Sequence, residues 1–163
     1  MENCEDIIDK LNLIPHKEGG YYKETYRATE TTADLSPNFN GGKRSFATAI
    51  YYLLRKGDKS LFHRIKSDEI WHHYQGAPVM IYILDNKRVQ VEKLGGLDDG
   101  CIPQIIIKKG TWFAAESIGS NEYSLCGCTV SPGFDFNDFE IALRSDLIKD
   151  YPDDSETILK FTD

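Results

Sequence analysis

The chain has 163 residues, 19 Lys and Arg against 26 Asp and Glu, and a formal charge of −7. That length suits one core rather than two, and the acidic balance excludes a phosphate-backbone partner, because the densest basic stretch is the pair Lys43-Arg44. No segment approaches the roughly 20 apolar residues a bilayer requires, and Met1 to Asp6 is acidic where a signal peptide would be basic, so a cytoplasmic protein with no membrane partner is expected.

In chain order, Asp6 to Leu13 puts Ile7, Ile8 and Leu11 on one helical face and stops before Pro15. Strand-like runs with β-branched and aromatic enrichment follow: 20–27, 46–54, 61–66, 69–74, 79–84, 89–94, 104–107, 111–115, 124–130 and 140–143. Turn residues separate them, as at Lys56-Gly57-Asp58, Gly76-Ala77-Pro78 and Asp85-Asn86. Thr29 to Gly42 is polar and carries two glycines, the pattern of a flexible loop. From Ser145 to Phe161 two short amphipathic turns, capped by Ser145 and Asp153, are divided by Tyr151-Pro152. With no crossover helices between strands, the expected class is all-β, a barrel or sandwich in a single domain over residues 1–163, closed by short N- and C-terminal helices. Four cysteines make no disulfide framework, and Cys126 and Cys128 read as small buried hydrophobes.

Glu18-Gly19-Gly20-Tyr21 reads as a loop passing close to another backbone, since paired glycines allow positive φ. Three of the four histidines fall between His63 and His73, interleaved with Glu69. Imidazole and carboxylate brought together by strand pairing can hold a divalent metal or move a proton. Glu69 could instead pair with Arg64 or Lys66, and His73 reads as a surface residue. Phe134, Phe136 and Phe139 read as core or contact residues, and His16 as a turn residue.

The spacing Gly57, five residues, His63, one, Ile65, three, Glu69, six, Gly76 resembles the first cupin signature, with Ile65 where a second histidine is usual. Lys108-Lys109-Gly110-Thr111-Trp112-Phe113 resembles the second, with Phe113 in the histidine position. Pro15 to Arg27, Thr48 to Leu54, His63 to His72 and Gly127 to Phe136, in that order, resemble a small cupin family once catalogued as a domain of unknown function. That family is similar in turn to sugar-nucleotide epimerases and to germin-like and seed-storage cupins. The resemblance implies a double-stranded β-helix, the cupin jelly-roll barrel, in a homodimer with a small-molecule ligand inside each barrel. It implies a carbohydrate-like or nucleotide-sugar-like ligand and a metal-independent epimerase or isomerase with His63 as base and Glu69 as its orienting partner. Tyr21, Tyr52 and Tyr74 are then the candidate acids. Ligand contacts are expected from Lys23, Thr25, Arg27, Tyr21, His72, Trp112, Phe113 and Asp135. Only His63 and Glu69 remain of the usual cupin ligand set, so no cofactor is expected, with a divalent metal weak or absent. The alternatives are a non-catalytic binding protein and a metal-dependent cupin enzyme with an incomplete ligand set.

Overall fold

The computed structural model describes residues 3–32, 39, 42–86 and 88–163. The loop expected over Thr29 to Gly42 lies largely outside them. Among the described residues, eleven strands form two antiparallel sheets. The first has six strands in the order β1 (Ile14–Pro15), β2 (Tyr21–Arg27), β3 (Thr48–Arg55), β10 (Tyr123–Ser131), β5 (Asp68–Gly76) and β8 (Gln104–Ile107). The second has five: β11 (Glu140–Ile141), β4 (Lys59–Arg64), β9 (Phe113–Ser117), β6 (Val79–Asp85) and β7 (Arg88–Leu94). Strands that alternate apolar and polar residues must bury one face, and two such faces close on each other. Tyr52, Leu54, Trp71, Ile105, Ile107, Cys126 and Cys128 of the first sheet pack against Val79, Ile81, Leu94, Phe113 and Ala115 of the second. This is the cupin jelly roll.

The helices seal the outer faces. In α1 (Cys4–Leu11) the Asn3 side chain caps the first turn by accepting from the Asp6 amide at 2.8 Å, and Asn12 ends the helix in the left-handed conformation at φ 52°. The helix therefore starts two residues earlier than the apolar spacing suggested. It lays Ile7 and Ile8 on Leu53, Tyr123 and Leu125. At the other end α2 (Arg144–Asp150) and α3 (Ser155–Lys160) place Leu147, Ile158 and Phe161 on Phe62, Leu84 and Ala114. Their first turns begin after Leu143 and Asp154 rather than at Ser145 and Asp153. Among the described residues no helix is long and apolar enough to cross a membrane.

Three bulges break the strand register. The one between Ser60 and His63 matters for the site. A regular strand would send residues three apart to opposite faces, whereas the extra residue here turns both Ser60 and His63 inward.

Candidate active site

One end of the barrel opens into a cavity of about 610 Å³. Its floor is polar and its mouth aromatic. His63, from β4, is 2% exposed, and its ring lies against Phe113 at 4.2 Å and Phe139 at 5.5 Å. Nδ1 stands 2.8 Å from the Leu61 carbonyl. A carbonyl only accepts, so Nδ1 carries the proton and the lone pair resides on Nε2. That nitrogen faces Oε2 of Glu18 at 3.0 Å. One proton therefore lies between Glu18 and His63. Burial lowers the His63 pKa to about 4, which keeps the ring neutral, and raises that of Glu18. Ser60 completes the arrangement by donating to Glu18 Oε1 at 3.0 Å.

Glu18 comes from the loop joining β1 to β2, and the glycines after it are what let it enter. Gly19 has φ +112°, and a Cβ there would sit 2.0 Å from the Lys59 carbonyl oxygen. Gly20 has φ +71° and is pressed on the Leu53 carbonyl. The loop is tied down at both ends, with the Leu61 amide donating to the Glu18 carbonyl at 2.8 Å and the Tyr52 hydroxyl to the Gly19 carbonyl at 2.6 Å. Beside Glu18, His16 lines the cavity and its Nδ1 accepts from the Glu18 amide at 3.1 Å, which fixes a neutral ring. Its pKa is lowered chiefly by burial.

From the opposite sheet, Glu69 of β5 reaches the same cavity and is 7% exposed. Burial, then the neighbouring Glu18, raises its pKa to about 8. The Cys128 thiol and the Trp71 indole N–H next to it favour the ionised carboxylate and offset part of that rise. Cys128 lines the wall there, its thiol pushed up by burial and then by Glu69.

The other expected residues divide. Lys23, Arg27 and Asp135 line the mouth, but Arg27 is held by Glu24 in two contacts of 2.7 and 2.9 Å, leaving Lys23 as the less committed cation. Phe113 is fully buried behind His63. Tyr52 lines the cavity, yet its hydroxyl is spent on Gly19, and burial, then Glu18, holds its pKa well above the usual value. Phe113 and five others do not line the cavity. Tyr21 packs against the α1 cluster, Thr25 donates to the Ala49 carbonyl on the exposed bulge of β2, and Trp112 lies under the Arg64 guanidinium at 4.3 Å. His72 and Tyr74 stack on each other on the outer face of the first sheet, where His72 meets Thr129 at 3.1 Å. The Glu69 pairing considered with Arg64 does not form, since Arg64 pairs with Glu140 at 2.8 Å. His73 meets the Ala77 carbonyl at 3.0 Å.

Two groups were missed. Glu18 is the partner of His63, the position expected for Glu69, and the glycine pair after it was the only signal. Phe134, Phe136 and Phe139, expected in the core or at a contact, line the mouth together with Asp135 and Asn137. Asp138, the one residue of that run turned away, is 4% exposed and clamped by Arg44 in two contacts of 2.8 Å.

The donor set does not fit a cupin metal. Ile65 and Phe113 offer hydrocarbon at two ligand positions, and the His63 lone pair is met by Glu18. Among the described residues no three His, Cys, Asp or Glu side chains converge as a metal site.

Comparison with known proteins agrees with this architecture. A hypothetical protein from Leishmania major superposes with a TM-score of 0.89 at 30% identity over 99% of both chains. Protein SO0799 from Shewanella oneidensis gives 0.87 at 35% identity over 100% of this chain and 99% of that one. The uncharacterized protein YML079W of Saccharomyces cerevisiae is 29% identical in an alignment that covers 90% of this chain and 79% of the yeast protein. A more distant likeness in fold alone, TM-score 0.55 at 14% identity, is to oxalate decarboxylase from Bacillus subtilis, over 90% of this chain and 36% of that one. The family model described as Cupin superfamily (DUF985) matches residues 5–142, and the chain belongs to that family.

Proposed function

We propose that the protein is a metal-independent enzyme of the epimerase or isomerase type, moving a proton at carbon on a carbohydrate-like or nucleotide-sugar-like ligand. The observation that carries this reading is the 3.0 Å contact between Glu18 and His63, with Nδ1 locked on the Leu61 carbonyl. A carbon beside a carbonyl gives up its proton when a base takes it while an acid protonates the oxygen. The pair holds both roles. His63 Nε2 accepts the proton from carbon, and Glu18 gives its own to the carbonyl oxygen. The products are an enol and an imidazolium–carboxylate ion pair, so the cavity builds no net charge. Phe134, Phe136 and Tyr22 at the mouth suit the faces of a sugar or base ring. The same reading places the protein in the cytoplasm as a homodimer.

The test is incubation in deuterium oxide with defined aldoses, ketoses, their phosphates and nucleotide-activated forms, following deuterium at carbon by mass spectrometry. Wild type exchanges at least one of them, and His63→Ala loses exchange while melting as wild type does. Exchange by neither protein refutes the enzyme reading. A second reading, a binding protein, draws on one observation: the only lone pair of His63 is already met by a protein acid. Retention of one of these compounds in native mass spectrometry, without exchange, supports it.

A further inference from the structure

The Glu18–His63 pair acts from one side of the cavity, and inversion at carbon needs a second group to return the proton on the other. The hydroxyls considered for that role are committed or misplaced: Tyr52 donates to Gly19, and Tyr74 lies on the outer face of the sheet. Glu69 remains. It projects from the first sheet, whereas His63 projects from the second, and both line one cavity. It forms no ion pair among the described residues, and the Trp71 indole N–H and the Cys128 thiol flank its carboxyl.

We propose that Glu69 is the second proton-transfer group of the cavity, a neutral carboxylic acid that delivers a proton to carbon on the face opposite His63. This rests on the reading above and extends it to the reacting end of the ligand. With Glu18 and Glu69 both present and, among the described residues, no fixed cation on the floor, that end is an uncharged carbonyl or hydroxyl rather than a carboxylate. In the second half of the reaction the Glu69 O–H bond breaks and a C–H bond forms. The enol O–H proton returns to Glu18, leaving the Glu69 carboxylate opposite the His63 imidazolium, and a proton passed through solvent restores both. Of the titratable groups that line the cavity, Glu18 and Cys128 act on Glu69 directly, and the Cys128 thiol is neutral in the fold.

A small diazo compound tests this without knowledge of the substrate. Diazoacetamide accepts a proton on its diazo carbon from a neutral carboxylic acid. The resulting carboxylate then forms the C–O bond as dinitrogen leaves with its electron pair. The intact protein is treated near neutral pH and the ester is located by peptide mass spectrometry. Glu69 is expected to react roughly a hundredfold faster than exposed carboxylates, which are almost wholly ionised there, and Glu69→Gln removes that ester while Glu18→Gln leaves it. No preferential ester at Glu69, or an adduct at Glu18 or Cys128 in its place, overturns the proposal. Sugar turnover is not involved, so labelling without deuterium exchange refutes only the enzyme reading, and exchange without labelling refutes only the role of Glu69.

Discussion

Replacing Glu69 by Gln tests whether its carboxyl is held neutral against its own preference. Burial and the adjacent Glu18 raise its pKa from 4.5 to about 8. A carboxyl whose folded pKa lies above its unfolded value stabilises nothing and costs nothing in acid, where both states are protonated. Between about 4.5 and about 8 the unfolded chain releases the proton and the native chain keeps it, so stability falls by about 1.4 kcal/mol per pH unit and then levels off. The full loss is on the order of 4–5 kcal/mol. An amide of the same shape never ionises. Glu69→Gln therefore lies within about 1 kcal/mol of wild type near pH 5 and exceeds it by several kcal/mol near pH 9, or roughly 10 °C in melting temperature for a chain of this length. His63 has the opposite slope, its depressed pKa adding stability as pH rises from about 4 to 6.5, but it is common to both proteins and cancels in the difference. Urea unfolding of both at intervals between those two pH values gives the difference directly. A difference that stays flat across the range refutes the neutral carboxyl, and with it the electrostatic account of the cavity floor.

Glu18→Ala leaves the Ser60 hydroxyl and His63 Nε2 buried without partners and is expected to cost about 2–4 kcal/mol in chemical unfolding; Glu18→Gln, which can still donate to Nε2, should cost less than about 1 kcal/mol while abolishing deuterium exchange. Gly19→Ala drives a methyl onto the Lys59 carbonyl at a positive φ, so it should lose more than about 2 kcal/mol and, in a surviving fold, shift the His63 ring resonances in NMR as Glu18 withdraws. Arg44→Met strands Asp138 in the interior and should cost about 3–5 kcal/mol, whereas Arg44→Met with Asp138→Leu should recover most of that stability; the double variant remaining as unstable as the single would show that the clamp is not a simple buried ion pair.

The strands were legible because their alternation follows the pleat. The same alternation sends His72, three residues from Glu69, to the other face of β5, where it lies instead of among the ligand contacts expected of it. It failed wherever an extra residue enters a strand. Strict alternation separates Ser60 from His63, and only the bulge between them brings both to Glu18. In β5 the register shift falls beside Tyr74, which lies across Gly127 on the outside, where a Cβ on that glycine would meet its hydroxyl at 2.2 Å. A glycine inside a strand was the signal that a ring covers it. Glu18 was less legible still, because a loop residue 45 positions before His63 has no period to read. What could be read was the cost of the loop: two adjacent glycines spend conformational freedom only where the backbone must press close, and at Gly19 that close approach is what carries Glu18 to His63. The aromatic run misled for a related reason. Phe134 and Phe139 are partly buried and Phe136 is 38% exposed, and together they form the wall of a cavity; hydrophobicity alone does not distinguish a ring that packs against protein from one that waits for a ligand.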